Sequence, residues 1–149
     1  MLVRLVTIQD FEAIYTIGLD CPELQTNPTQ PFMEPEELRW AIDNPNGIFL
    51  LGENDGEPVG FIYVNMQDVE RPMPGRLACL VYLAIVQSKR SRGFATQLYA
   101  AAVERLRNSG VETLYGWAHA GEHSPIEAFL SRQGFAPGGL YRWYDRKIK

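Results

Sequence analysis

The stretch from Leu77 to Leu98 leaves this chain few folding options. Leu77-Ala78-Cys79-Leu80-Val81-Tyr82-Leu83-Ala84-Ile85-Val86 is ten residues without a charge. It is half the length of about 20 residues that a helix needs to cross a bilayer. Its β-branched and aromatic content predicts a strand buried on both faces. Gln87-Ser88-Lys89-Arg90-Ser91-Arg92-Gly93 follows as a basic turn. Then Phe94, Ala95, Leu98, Tyr99, Ala102, Val103 and Leu106 recur at helical spacing, with Glu104, Arg105 and Arg107 off that stripe. The unit is strand, basic turn, helix.

That unit suits an anion. A helix N-terminus has unpaired N–H groups and a partial positive charge. Gly93 has no Cβ, so a phosphate can approach the backbone closely, and Ala95 is the next smallest choice. Lys89, Arg90 and Arg92 add positive charge. A solvated surface turn is the competing reading, since a lone glycine in a basic turn is common.

Leu83-Ala84-Ile85 followed by Arg90-Ser91-Arg92-Gly93-Phe94-Ala95 resembles the cofactor motif of the GNAT superfamily of N-acetyltransferases, Gln/Arg-x-x-Gly-x-Gly/Ala after a strand often reading Leu-Ala-Val. Phe129-Leu130-Ser131-Arg132-Gln133-Gly134-Phe135 looks like the family's closing helix, which commonly ends in Gly-Phe. The resemblance is specific from Leu77 to Phe135 and weak before that. It implies acetyl-CoA as co-substrate and no metal. Leu83, Ala84 and Ile85 would bind the pantetheine arm, and Arg90, Ser91, Arg92, Gly93, Phe94, Ala95 and Thr96 the diphosphate, with Ser124 also at the cofactor.

The rest of the chain agrees with one α/β (α+β) domain over residues 1–149. Leu2 to Val6 reads as a strand, and Thr7-Ile8-Gln9-Asp10 as a capping box before a helix bearing Phe11, Ile14, Tyr15 and Leu19. Asp20 to Met33, with Pro22, Pro28 and Pro31, reads as a loop. Pro35 opens a second helix that Asn44-Pro45-Asn46-Gly47 ends. Ile48 to Gly52 and Val59 to Met66 form a hairpin through Glu53-Asn54-Asp55-Gly56. Asp68 to Arg76 connects to the central strand. Beyond the basic helix and its Asn108-Ser109-Gly110 stop come a strand over Val111 to Ala118 and a loop over His119 to His123. Ser124-Pro125-Ile126-Glu127 starts another helix, and Gly134 ends it. Leu140 to Ile148 would be a last strand. The order βααβββαβαβ predicts a mixed sheet flanked by helices; the resemblance makes it mostly antiparallel and GNAT-like.

Charge narrows the partners. The net charge of −4 argues against general nucleic-acid binding. Residues 1–76 hold 4 Lys+Arg against 13 Asp+Glu, or −9, whereas residues 77–149 hold 10 against 5, or +5. An acidic acceptor side would steer a cationic amine, and a merely solvated acidic face is the other reading. No segment reads as a signal peptide or membrane span, so a cytoplasmic location without a membrane partner is the expectation. Cys79 reads as a core thiol and Cys21 as a loop residue, with no metal or redox spacing between them. Dimerisation is common in the family, but no motif specifies an interface.

Catalysis needs a proton acceptor for the amine and a donor for the leaving thiolate. A lysine-like amine has a pKa near ~10.4 and is protonated at neutral pH. Two positions where family members carry a catalytic Glu fall at Cys79 and near Trp117, so that base is missing. His119 is the candidate base. Glu122, His123, Glu34 or a water are the alternatives, and a polar loop residue without a role is the bland reading. The family's usual acid, a Tyr in the closing helix, is replaced by Leu130, which leaves Tyr144 as the candidate acid, with Tyr82 and Tyr141 beside it. The family's Asn near this helix is also absent, with His123 or Ser124 in its place. The resemblance implies direct transfer from acetyl-CoA to a primary amine of a small molecule or peptide, in a ternary complex. The alternatives are a non-catalytic acyl-CoA-binding sensor or regulatory domain and, more weakly, an unrelated phosphate-binding α/β domain.

Overall fold

A computed structural model describes residues 1–25, 28–30, 32–67, 77–120, 123–142, 144 and 146–148. Five strands form one sheet in sequence order: β1 (Leu2–Leu5), β2 (Gly47–Asn54), β3 (Glu57–Asn65), β4 (Leu77–Ile85) and β5 (Thr113–Gly116). All neighbours are antiparallel except β4 and β5, which are parallel. A parallel pair needs a long crossover, and α3 (Phe94–Asn108) supplies it. The helices α1 (Phe11–Leu19) and α2 (Pro35–Asp43) lie before the β2–β3 hairpin, and α4 (Pro125–Arg132) follows β5.

Alternation along β2 and β3 splits the core into two layers. Phe49, Leu51, Phe61 and Tyr63 face α1 and α2, where Ile14 and Leu38 are fully buried. Leu50, Ile62 and Val64 face α3, where Leu98 and Ala102 are fully buried. The mixed, mostly antiparallel sheet expected from the sequence therefore forms, flanked by helices on both faces.

Several local expectations change. The hairpin turn tightens to Asp55-Gly56, whose φ angles of 54° and 79° match the sheet's own twist. Thr7-Ile8-Gln9-Asp10 opens a 3-10 turn, and α1 proper begins at Phe11. Pro22–Leu24 adds a second 3-10 turn within the expected loop. β4 is not buried throughout, because Val81 is 38% exposed. The loop residue Cys21 is the more buried cysteine, at 3% exposed, whereas Cys79 on β4 is half-buried and not a full core thiol. β5 stops at Gly116, short of Ala118, and the described residues between 140 and 148 form no strand. There Leu140, Tyr144 and Ile148 are each more than 80% exposed. The connection at Asp68 to Arg76 lies outside the described residues, as does Glu122. Among the described residues, no helix is long and apolar enough to cross a membrane.

The first strand is fastened by a charge cluster. Arg4 grips Asp10 with two bonds, Nη1–H to Oδ2 at 2.8 Å and Nη2–H to Oδ1 at 2.7 Å. It also donates to Glu53 Oε1 on β2 at 2.6 Å. Thr7 donates its backbone N–H to Asp10 Oδ2 at 2.8 Å. Arg4 is the main reason that the Asp10 carboxyl falls from an ordinary 3.8 to about 2. A carboxylate with a depressed folded-state pKa stabilises the fold above its unfolded pKa, and that contribution fades as pH falls through the folded value. Asp10→Asn is therefore expected to cost about 1–2 kcal/mol at pH 7. Melting curves of the two proteins should converge between pH 4 and pH 2.

Candidate functional site

The parallel pairing of β4 and β5 runs only from Leu77 opposite Thr113 to Leu80 opposite Gly116. β4 continues for five more residues to Ile85, still paired on its other side with β3. A bulge marks the parting: Tyr63 pairs with Tyr82 and Val64 with Leu80, so Val81 is the extra residue. Bulges increase local twist and re-aim a strand. Farther along, Gly60 on β3 lets the two strands stay close, since a Cβ there would meet Ala84 O at 2.3 Å. Among the described residues, the β5-facing edge of Val81 to Ile85 has no strand partner.

A cleft of about 480 Å³ opens at this edge. Leu83, Ala84 and Ile85 form its floor. The turn and the start of α3 close one end, through Lys89, Arg90, Ser91 and Gly93 to Thr96. Pro125, Ile126, Phe129 and Arg132 of α4 form one wall. Cys21, Glu23 and Leu24 form the other, an arrangement that no spacing in the sequence announces.

The end at α3 is built for an anion. Ser91 and Gly93 take left-handed φ of 62° and 79° in the turn that leads into α3. Gly93 is the N-cap, and the first helical bond runs from Gln97 N–H to Gly93 O at 3.1 Å. The amides of Phe94, Ala95 and Thr96 thus precede the helical ladder. A Cβ on Gly93 would meet no heavy atom within 4 Å, so the residue's necessity lies in its backbone angle and in the space above it.

The expected site residues separate into two groups. Leu83, Ala84, Ile85, Arg90, Ser91, Gly93, Phe94, Ala95 and Thr96 all line the cleft. Arg92 is exposed in the same turn, outside the lining. Ser124 caps α4, its Oγ accepting from Glu127 N–H at 3.3 Å. Tyr144 is 82% exposed and stands apart from the cleft lining. His119 follows β5, and its Nε2 lies 2.8 Å from Gln25 O. A carbonyl only accepts, so Nε2 carries the proton and Nδ1 of the neutral ring keeps a lone pair.

Electrostatics at the cleft are dominated by one pair. Glu23 Oε1 accepts from Arg90 Nη1 at 2.5 Å and Oε2 from Nη2 at 3.2 Å. Arg90 holds the Glu23 carboxyl below its usual range, and Glu23 raises Arg90 in turn. Burial pushes the Cys21 thiol up, away from the thiolate form. Burial likewise pushes the Tyr82 hydroxyl up to about 12, with the Glu37 carboxylate adding to the effect. Lys89 lies 3.8 Å from Glu57.

Residues 11–135 match the model of the acetyltransferase (GNAT) family. Among curated proteins none matches the chain. The fold is shared with a ribosomal-protein-alanine N-acetyltransferase from Brucella melitensis at 24% identity and TM-score 0.75, covering 93% of this chain and 86% of that one. An aminoglycoside 6'-N-acetyltransferase from Acinetobacter haemolyticus aligns at 12% identity and TM-score 0.75 over 100% of both chains. The PaiA N-acetyltransferase of Thermoplasma acidophilum, solved with coenzyme A, aligns at 13% identity and TM-score 0.67, covering 89% of this chain and 87% of that one.

The Ser124 cap provides a check on the α4 wall. Ser124→Ala should lower stability by about 1 kcal/mol, as loss of a serine N-cap does. Thermal unfolding would show it as a drop of a few degrees.

Proposed function

This chain belongs to the acetyltransferase (GNAT) family and is an acyltransferase of the N-acetyltransferase type, and we propose that it moves the acetyl group of acetyl-CoA directly to a primary amine. The observation that carries this reading is the open edge of β4 beside the amide-rich start of α3. An apolar floor of Leu83 to Ile85 suits a pantetheine arm, and the turn from Arg90 to Thr96 suits its diphosphate. The coenzyme A in the Thermoplasma neighbour supports the same class of co-substrate.

In the reaction the amine nitrogen attacks the thioester carbonyl carbon, the C–S bond breaks, and the CoA thiolate leaves. An amide N–H on the open β4 edge would stabilise the oxyanion in between. His119 Nδ1 takes the proton that the amine loses, since Nε2 is spent on Gln25. The thiolate regains a proton from a tyrosine. Tyr144 would have to fold back from solvent to serve, whereas Tyr82 stands next to Leu83 on β4 and holds its proton at neutral pH. No covalent acetyl-enzyme is needed, and the raised Cys21 thiol makes a poor nucleophile. The −9 carried by residues 1–76 supports a cationic acceptor, through steering. Cys21 and Cys79, not linked by a disulfide, fit a reducing, cytoplasmic setting.

Calorimetric titration with acetyl-CoA is the direct test. Wild-type protein should bind with micromolar affinity, and Gly93→Asp should show no binding, because its carboxylate would lie where the diphosphate belongs. A folded wild type that binds no CoA species would overturn the reading. In a panel of primary amines, His119→Ala should lower kcat by about 10²-fold, the lower end of general base catalysis. Unchanged kcat in that variant would remove His119 from the mechanism, and binding without turnover on any amine would favour the acyl-CoA sensor.

A further inference from the structure

The geometry points to Arg90 as a positioning residue that fastens residues 21–25 as a wall of the cleft, and not as a ligand of the cofactor's phosphates. This rests on the cofactor reading above. Arg has five N–H donors in a rigid fork. Here the Nε–H donates to Ile85 O at 3.1 Å, and one Nη1–H donates to Glu23 Oε1 at 2.5 Å. The two Nη2–H groups face Glu23 Oε2 at 3.2 Å and Cys21 Sγ at 3.7 Å. One N–H is left over, and a bidentate carboxylate already neutralises the charge.

The partners of Arg90 explain what the fork accomplishes. Ile85 is the last residue of β4, and Glu23 belongs to a 3-10 turn 67 residues from Arg90 in sequence. Cys21 Sγ–H also reaches Ile85 O, at 3.9 Å. At the other end of the segment, Gln25 O accepts from His119. Residues 21–25 are thus tied to the end of β4, to the cofactor turn and to the end of β5. Cys21, Glu23 and Leu24 line the cleft, as do residues of α4. Positive charge for a diphosphate would then come from the α3 amides and from Lys89, which also lines the cleft.

The two roles separate with two probes. ADP carries the diphosphate without a pantetheine arm, whereas acetyl-CoA needs both the turn and the wall. Arg90→Gln and Glu23→Gln should each weaken acetyl-CoA about tenfold while leaving ADP within about twofold, and the double variant should lose no more than either single one. Lys89→Gln, the phosphate control, should weaken both ligands. In ligand-free protein, amide hydrogen exchange over residues 21–25 should accelerate about tenfold in Arg90→Gln and Glu23→Gln. Arg90→Lys should accelerate it as well, because it keeps the charge and loses the fork. Parallel weakening of ADP and acetyl-CoA in Arg90→Gln would overturn the assignment. So would tighter ADP binding in Glu23→Gln, or unchanged exchange in either variant. Should the wild type bind neither ligand, the cofactor reading falls, and the exchange experiment alone decides whether the wall is fastened as described.

Discussion

The site depends on the point at which β4 and β5 part. Up to Leu80 and Gly116 the two strands satisfy each other's backbone groups. Beyond it, β4 keeps β3 on one side and, among the described residues, has no strand partner on the other. Buried backbone groups without partners are costly, so such an edge in a half-buried cleft is a place for water or a ligand. The same parallel pairing requires a crossover helix, and the crossover leaves from the end of β4. An open strand edge and a helix N-terminus therefore arise side by side from one topological event. The site is a consequence of the switch from antiparallel to parallel pairing, much as clefts form at strand ends where sheet order switches in open α/β folds.

Charge across the cleft shows how the two halves of the chain are joined. The acidic first half and basic second half look in sequence like separate surfaces for separate ligands. In the folded chain part of that asymmetry is consumed internally. Glu23 takes Arg90, and Glu57 lies near Lys89, so two cations of the turn meet carboxylates from the first half. The Arg90 pair is half-buried and bidentate, which favours geometric definition over net energy. The Lys89 pair is long and its carboxylate exposed, so solvent screens it and Lys89 can turn to an incoming anion.

What was legible in the sequence was what is local. The uncharged run, the glycine in the basic turn and the helical stripe from Phe94 to Leu106 are read within one window, and the strand, turn and helix form there, although β4 is less buried than expected. The same holds for α4, where Ser124, Pro125 and Gly134 mark both ends. What was not legible depends on where pairing stops. The exit of β5 at Gly116, rather than at Ala118, rests on register with β4 and on the Val81 bulge, which no residue pattern displays. The Cys21–Gln25 wall was hidden for another reason, because its partners are Arg90 and His119, far along the chain. Leu140 to Ile148 reads as a last strand from its apolar and aromatic content, but composition alone supplies no pairing partner, and the described residues there stay in solvent.

In the proposed reaction the base comes from outside the sheet. Cys79 sits on β4 between Asn65 and Tyr115, where a carboxylate would have been the simplest base. The candidate imidazole, His119, instead lies past the end of β5, and its orientation is set by the carbonyl of Gln25. Two residues earlier in the same segment, Glu23 holds the guanidinium of the cofactor turn. The ring that would accept the proton and the turn that would hold the acyl donor are therefore fixed to one five-residue peptide, 21–25. A shift of that peptide moves the candidate base and the cleft wall together. In the proposed mechanism, alignment of base, amine and thioester would then depend on tertiary anchoring of a short irregular segment, and rigid anchoring of this kind is what near-attack geometry requires.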